Sequence, residues 1–152
     1  MRSQILFISG RNEDARRLSR MLQPLPVVLD HAQSLQQARA KLQQDDYDVV
    51  LTEAALPDGR WLDVLHLVRE QPKELDVIVT DPQADAHFWA EALNLGAHDV
   101  LAKPFDAAEV VRTLSYAWLQ WANRNELALT PAARAGGLRR AAAAGGLAAR
   151  TP

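Results

Sequence analysis

Five short apolar runs, each followed by a stretch with helical spacing, constrain this chain most. The third run is the plainest. Val49-Val50-Leu51 is apolar at consecutive positions, so a strand there would be buried on both faces. Such a strand needs helices above and below it. The other runs are Gln4-Ile5-Leu6-Phe7-Ile8, Val27-Val28-Leu29, residues 75–80 and residues 98–102. Between them lie helical stripes: Ala15, Leu18, Met21 and Leu22, then Leu35, Ala38 and Leu42, then Leu62, Leu65 and Val68, then residues 84–95. A last stripe holds Val110, Val111, Leu114, Trp118 and Trp121. Strict alternation of this kind predicts an α/β fold, a doubly wound five-stranded parallel sheet with helices on both faces and right-handed crossovers.

Local signals place the boundaries. Asn12 is expected to cap the first helix, with Glu13 and Asp14 in its positive first turn. Pro24 and Pro26 end that helix, and Pro26 puts the second strand near an edge. Ser34 with Gln37, and Asp106 with Glu109, have the spacing of a helix cap and its partner three residues on. Leu56-Pro57-Asp58-Gly59 reads as a turn, Pro72 closes the third helix, and Gly96 suits the position just past the fourth. The last helix is expected to end near Asn125.

The composition shifts beyond Thr130-Pro131. Residues 127–152 contain ten Ala and four Gly, and the Gly pairs interrupt any long helix. The chain is therefore divided into a domain at 1–126 and a low-complexity tail or linker at 127–152, expected to be disordered. All 19 acids lie in 1–126 with 13 of the 17 Lys and Arg, a balance of −6; the tail, with Arg134, Arg139, Arg140 and Arg150, is +4. Four arginines without interleaved aromatics are a weak nucleic-acid signal. With no cysteine, disulfides and thiolate metal sites are excluded. His31, His66, His87 and His98 have no metal-ligand spacing. No run suits a signal peptide or a membrane span, and the protein is expected to be cytoplasmic.

Four features fall at the carboxyl ends of strands, where this architecture forms its sites. They are Ser9-Gly10-Arg11, Glu53, Thr80 and Lys103-Pro104. Together with DVVLTEAALPDG at 48–59, the Val-Ile-Val-Thr strand and ALNLGAHDVLAKPF at 92–105, they make residues from about Gln4 to Trp118 resemble a response-regulator receiver domain of two-component signalling. The resemblance implies strand order 2-1-3-4-5 and a cis peptide before Pro104. It also implies a phosphoryl group taken from a histidine kinase onto an Asp, with Mg²⁺ held by two acids after the first strand.

The parts match unevenly. Thr80 and Lys103 stand where the resemblance puts phosphoryl-holding residues. The phospho-acceptor position is Glu53. The acid pair falls on Gly10 and Arg11, or on Ser9 and Gly10, so both acids are gone; Asn12, Glu13 and Asp14 are expected to begin the helix rather than line the pocket. Asp81 replaces the small residue after Thr80, and Val100 stands at the aromatic switch position. These departures imply a degenerate pseudo-receiver with no catalytic residue, no cofactor and a lost Mg²⁺ site. They also imply an ion network of Glu53 with Lys103, and of Arg11 with them. The alternatives are a solvated Glu53, a Thr80 hydroxyl bonded to nearby backbone, and an exposed loop Arg11.

Partners implied are a second copy of the chain, a histidine kinase or an output domain, the last consistent with a transcription regulator. No membrane role is expected. Phe88 and Trp89, with Trp118 and Trp121, are candidate interface residues for a homodimer through the fourth and fifth helices, since a helix on a sheet hides one stripe. Covering the sheet end is their alternative role. Two other functions stay open. An active receiver would be phosphorylated on a non-standard acid, Asp58 or Asp81, neither of which stands at the strand end that in-line transfer requires. A nucleic-acid binder would use the basic tail.

Overall fold

The computed structural model describes residues 3–83 and 85–127, with side chains at 118 and 120–127 outside the description. The expected tail beyond 127 also lies outside it. The chain divides into two units, Met1–Ala117 and Trp118–Pro152. The first holds the sheet and most of its helices. Of the second, the described part is the end of the last helix. The expected domain boundary after residue 126 stands one residue before that helix ends.

The elements are β1 (Ser3–Ile8), α1 (Asn12–Met21), β2 (Val27–Ala32), α2 (Leu35–Gln44), β3 (Val49–Glu53), β4 (Ala55–Leu56), β5 (Gly59–Arg60), α3 (Trp61–Arg69), β6 (Asp76–Asp81), α4 (Ala86–Leu95), β7 (Asp99–Ala102) and α5 (Ala107–Leu127). The main sheet runs β2-β1-β3-β6-β7, every neighbour parallel. Counted over its five long strands, this is order 2-1-3-4-5, with β2 at an edge.

Two apolar layers sandwich the sheet. Leu6, Ile8, Val50, Val77, Val79 and Val100 face α2, α3 and α4. Ile5, Phe7, Val49, Leu51, Ile78 and Leu101 face α1 and α5. The period of two therefore decides where the strand ends point. Glu53, Thr80 and Lys103 continue the second set, and so lie on the side covered by α1.

Several caps follow the sequence. Ser34 Oγ accepts from Gln37 N at 3.2 Å, Asp106 accepts from Glu109 N at 3.1 Å, and Gly96 closes α4 with φ at 117°. The Lys103–Pro104 peptide is cis. One local expectation is corrected. Asn12 is the first residue of α1 and Arg11 occupies its cap without a side-chain bond; the Asn12 side chain instead accepts from Gln33 Nε2 at 2.9 Å. The Leu-Pro-Asp-Gly turn is the tip of a two-stranded antiparallel hairpin, with Leu56 opposite Gly59 and Ala55 opposite Arg60.

Candidate functional site

The carboxyl ends of β1, β3, β6 and β7 enclose a cleft of about 360 Å³ lined by Arg11, Glu53, Ala54, Ala55, Thr80, Asp81, Pro82 and Lys103. Parallel register sets its floor, because Glu53 pairs with Thr80 and Thr80 with Leu101. Lys103 follows β7 directly, and its backbone N–H donates to the Asp81 carbonyl at 3.2 Å.

The centre is a three-charge cluster. Lys103 Nζ donates to Glu53 Oε1 at 2.6 Å and to Asp14 Oδ2 at 2.6 Å. All three side chains are 11–15% exposed. Charges withdrawn from water to this degree require close pairing. Burial pushes the Asp14 carboxyl up, but the Lys103 hydrogen bond and charge, with the Arg11 charge adding to them, hold it below the usual carboxylate value. Burial likewise opposes the charge on Lys103, yet Asp14 and Glu53 raise its pKa above the ordinary lysine value.

Asp14 is a correction. It begins α1 and also lines the ion cluster, which the sequence reading placed elsewhere. The signal was present: Asp14, Leu18 and Leu22 recur every four residues on the stripe that α1 buries, and α1 covers the face on which Lys103 projects. Arg11 lines the cleft as expected, and of its two expected placements the exposed loop position is the one found. It is exposed at the rim, and among the described residues no ion pair within 4 Å includes it. Its guanidinium acts on Asp14 only through charge.

The remaining candidates fall as follows. Thr80 is fully buried, and its Oγ1 has no hydrogen-bond partner among the described residues. Asp81 is half-buried at the cleft wall. Val100 is buried in the layer under α2, α3 and α4, on the other side of the sheet from the ion cluster. Phe88 and Trp89 are half-buried against that same layer, and Phe88 meets Trp61 edge-on with ring centroids 6.2 Å apart. The side chains of Trp118 and Trp121 lie outside the described residues. Asp58, at the hairpin tip, accepts from Leu35 N at 2.8 Å and Gln36 N at 3.1 Å, so it faces α2 and not the cleft.

The carboxylates a divalent cation would meet here are Glu53 and Asp14, with Asp81 at the cleft wall. Both carboxylates of the cluster are engaged by an ammonium, and among the described residues no three His, Cys, Asp or Glu side chains could hold a metal ion. Ser9, at one expected acid position, is buried and folds its Oγ back to accept from Arg11 N at 3.0 Å.

Known proteins share this arrangement of strands. The chain is 28% identical over 110 residues to the photosynthetic apparatus regulatory protein RegA of Cereibacter sphaeroides, covering 72% of this chain and 60% of that protein. It is 31% identical over 115 residues to the transcriptional regulatory protein KdpE of Staphylococcus aureus, covering 72% and 47%. The chain thus spans about half the length of the curated relatives it matches. Among solved structures, the signal receiver domain of an HD domain-containing protein from Pseudomonas fluorescens Pf-5 superposes with a TM-score of 0.73 at 28% identity, over 82% of this chain and 93% of that one. Residues 5–115 match the family described as response regulator receiver domain, and the chain belongs to that family.

Proposed function

We propose that this receiver domain signals without phosphorylation, through protein–protein contacts whose geometry the Glu53–Lys103–Asp14 cluster holds fixed. One observation carries the reading: the lysine ammonium sits 2.6 Å from two carboxylates at once. A phosphoryl oxygen and a metal ion would have to displace those carboxylates from Lys103. Glu53 supplies a permanent negative charge at the acceptor position, one methylene longer than Asp. The chain then performs no catalysis of its own and takes no Mg²⁺.

The partner is a second copy of the chain, a histidine kinase or an output domain. The relatives named above are regulatory proteins of greater length, which favours a transcriptional output domain. Among the described residues no helix is long and apolar enough to cross a membrane, in keeping with action in the cytoplasm. Nucleic-acid binding is not assigned to the domain itself.

The test is a titration of the purified chain with Mg²⁺ and beryllofluoride, followed by Trp fluorescence and by amide chemical shifts, with Glu53→Asp alongside. The wild type is expected to give no saturable response. A saturable, Mg²⁺-dependent change in the wild type would mean that the cleft still handles a phosphoryl group, and the reading would be abandoned.

A further inference from the structure

The last rung between β1 and β2 is Ser9 N donating to the Ala32 carbonyl at 2.9 Å. There β2 ends, and Ser34 already caps α2. The Ser9 carbonyl is served by a side chain instead. His31 Nε2 lies 2.8 Å from it. A carbonyl can only accept, so the imidazole carries a proton on Nε2 and donates it. Ser9 is fully buried, and a buried carbonyl requires such a donor. The ring itself is held by packing. His31 is the register partner of Phe7 and stacks on it, with centroids 5.9 Å apart and planes at 26°. The period of two therefore puts His31 on the side of the sheet that α1 covers.

That side also holds the ion cluster. Only Gly10 and Arg11 separate Ser9 from the first residue of α1. Arg11 N donates to Ser9 Oγ at 3.0 Å, which folds this turn back on Ser9. One residue further, Asn12 Oδ1 accepts from Gln33 Nε2 at 2.9 Å. His31 and Gln33 together therefore tie the end of β2 to the start of α1. Asp14 stands in the first turn of α1 and reaches Lys103 Nζ at 2.6 Å. A displacement of about 1 Å ends a hydrogen bond of that length. A turn this short passes any movement of Ser9 on to the helix start.

We infer that His31 is a positioning residue for the ion cluster: donating from Nε2 to the Ser9 carbonyl, it fixes the turn that starts α1 and so the reach of Asp14 to Lys103. This deepens the reading of a phosphorylation-independent receiver and rests on its premise that the cluster holds the domain's geometry. His31 is no member of the cluster, and it acts through Ser9. The edge strand β2 thereby helps to set a charge contact on the far side of β1.

Two variants of the full chain separate the donor from the ring. His31→Phe keeps a ring against Phe7 and loses the donor. His31→Gln keeps an amide donor of similar reach and loses the ring. The diagnostic readout is the titration of the Asp14 carboxyl, followed by its ¹³C shift. Burial pushes that carboxyl up, and the Lys103 bond and charge hold it below the usual carboxylate value. In His31→Phe the titration is expected to move up toward the usual value. Amide exchange at Arg11 should become about tenfold faster, the equivalent of one lost hydrogen bond. In His31→Gln both are expected to stay as in the wild type. Asp58, held by the N–H groups of α2, should titrate alike in all three. An Asp14 titration unmoved in His31→Phe, moved equally in both variants, or moved together with Asp58 overturns the inference. The wild type gives a further check that needs no variant. Its neutral imidazole is expected to show one tautomer in ¹⁵N spectra, protonated at Nε2, and protonation at Nδ1 alone overturns the inference. A response of the wild type to Mg²⁺ and beryllofluoride defeats the phosphorylation-independent reading and leaves the Asp14 comparison standing, so the two failures are read in different experiments.

Discussion

At the scale of single residues, the weight of the site rests on Lys103. The exposed pair of Arg17 with Glu13 has a comparable separation of 2.8 Å, but its side chains are 50% and 74% exposed. Such a helix pair contributes only about 0.3–0.5 kcal/mol. Lys103 differs because water is largely excluded and because it serves two acids. Removing one carboxylate leaves the ammonium a second partner. Removing the ammonium leaves two adjacent buried carboxylates without a counter-charge. Lys103→Met is therefore expected to cost about 3 kcal/mol, and Asp14→Asn or Glu53→Gln about 1–2 kcal/mol each. Urea unfolding of the three variants checks the order. If Lys103→Met proves no worse than the carboxamides, the cluster does not carry the strand-end geometry as argued.

At the scale of elements, α4 shows what local chemistry decides. Its C-terminus turns on Gly96, in the left-handed region, and Arg69 reaches across from α3 to donate to the Leu95 carbonyl at 3.0 Å. A Cβ at Gly96 would also meet the Arg69 guanidinium at 2.8 Å. Gly96→Ala is expected to cost about 1–2 kcal/mol, and Gly96→Asn less, since Asn tolerates that conformation. Urea midpoints of the two variants would show it, and equal losses would assign the cost to Arg69 crowding instead of φ. Gly96 was legible in the sequence because a helix end asks for a left-handed residue within a few positions. The Ser34 and Asp106 caps and the two-sided apolar strand β3 were legible for the same local reason. The hairpin was not, because two-residue strands carry no periodicity. Asp58 was not, because its partners on α2 lie 22 and 23 residues away. Adjacency to the strand end in sequence leaves Arg11 open between the ion cluster and an exposed loop, and only the tertiary structure separates the two. The helical repeat that carries Asp14 inward needed the position of α1 over the sheet, which only the tertiary arrangement supplies.

For the molecule as a whole, the shifted groups define a pH window. Asp14, Asp30 and Asp58 all sit below the usual carboxylate value. Burial opposes this at Asp30 but is outweighed by the Tyr47 hydroxyl and Lys41, and at Asp58 the leading cause is the backbone N–H of Leu35. A carboxyl depressed by folding binds more protons when unfolded. Its contribution is therefore complete above the unfolded value of about 3.9 and is lost as pH falls through the folded value. Lys103 and Tyr47 are raised, Tyr47 by burial and by its bond to Asp30. Their contribution is complete below unfolded values of about 10 and is lost as pH rises through the folded ones. The balance of −6 over residues 1–126 acts in the opposite sense on the acid side, since partial protonation relieves repulsion between acids. That repulsion is long-range and screened by salt, so it is small beside the loss of a buried ion cluster. The urea midpoint at moderate salt is thus expected to stay level from about pH 5 to about pH 9 and to fall below about pH 4. Asp58 is exposed and adds little to that fall. Asp14 adds more, so Asp14→Asn should lower the plateau and shrink the acid-side drop. An unchanged acid-side drop in Asp14→Asn would place the acid sensitivity elsewhere in the fold, with the Asp30–Tyr47–Lys41 contact joining β2, the start of β3 and α2 as the next group to examine.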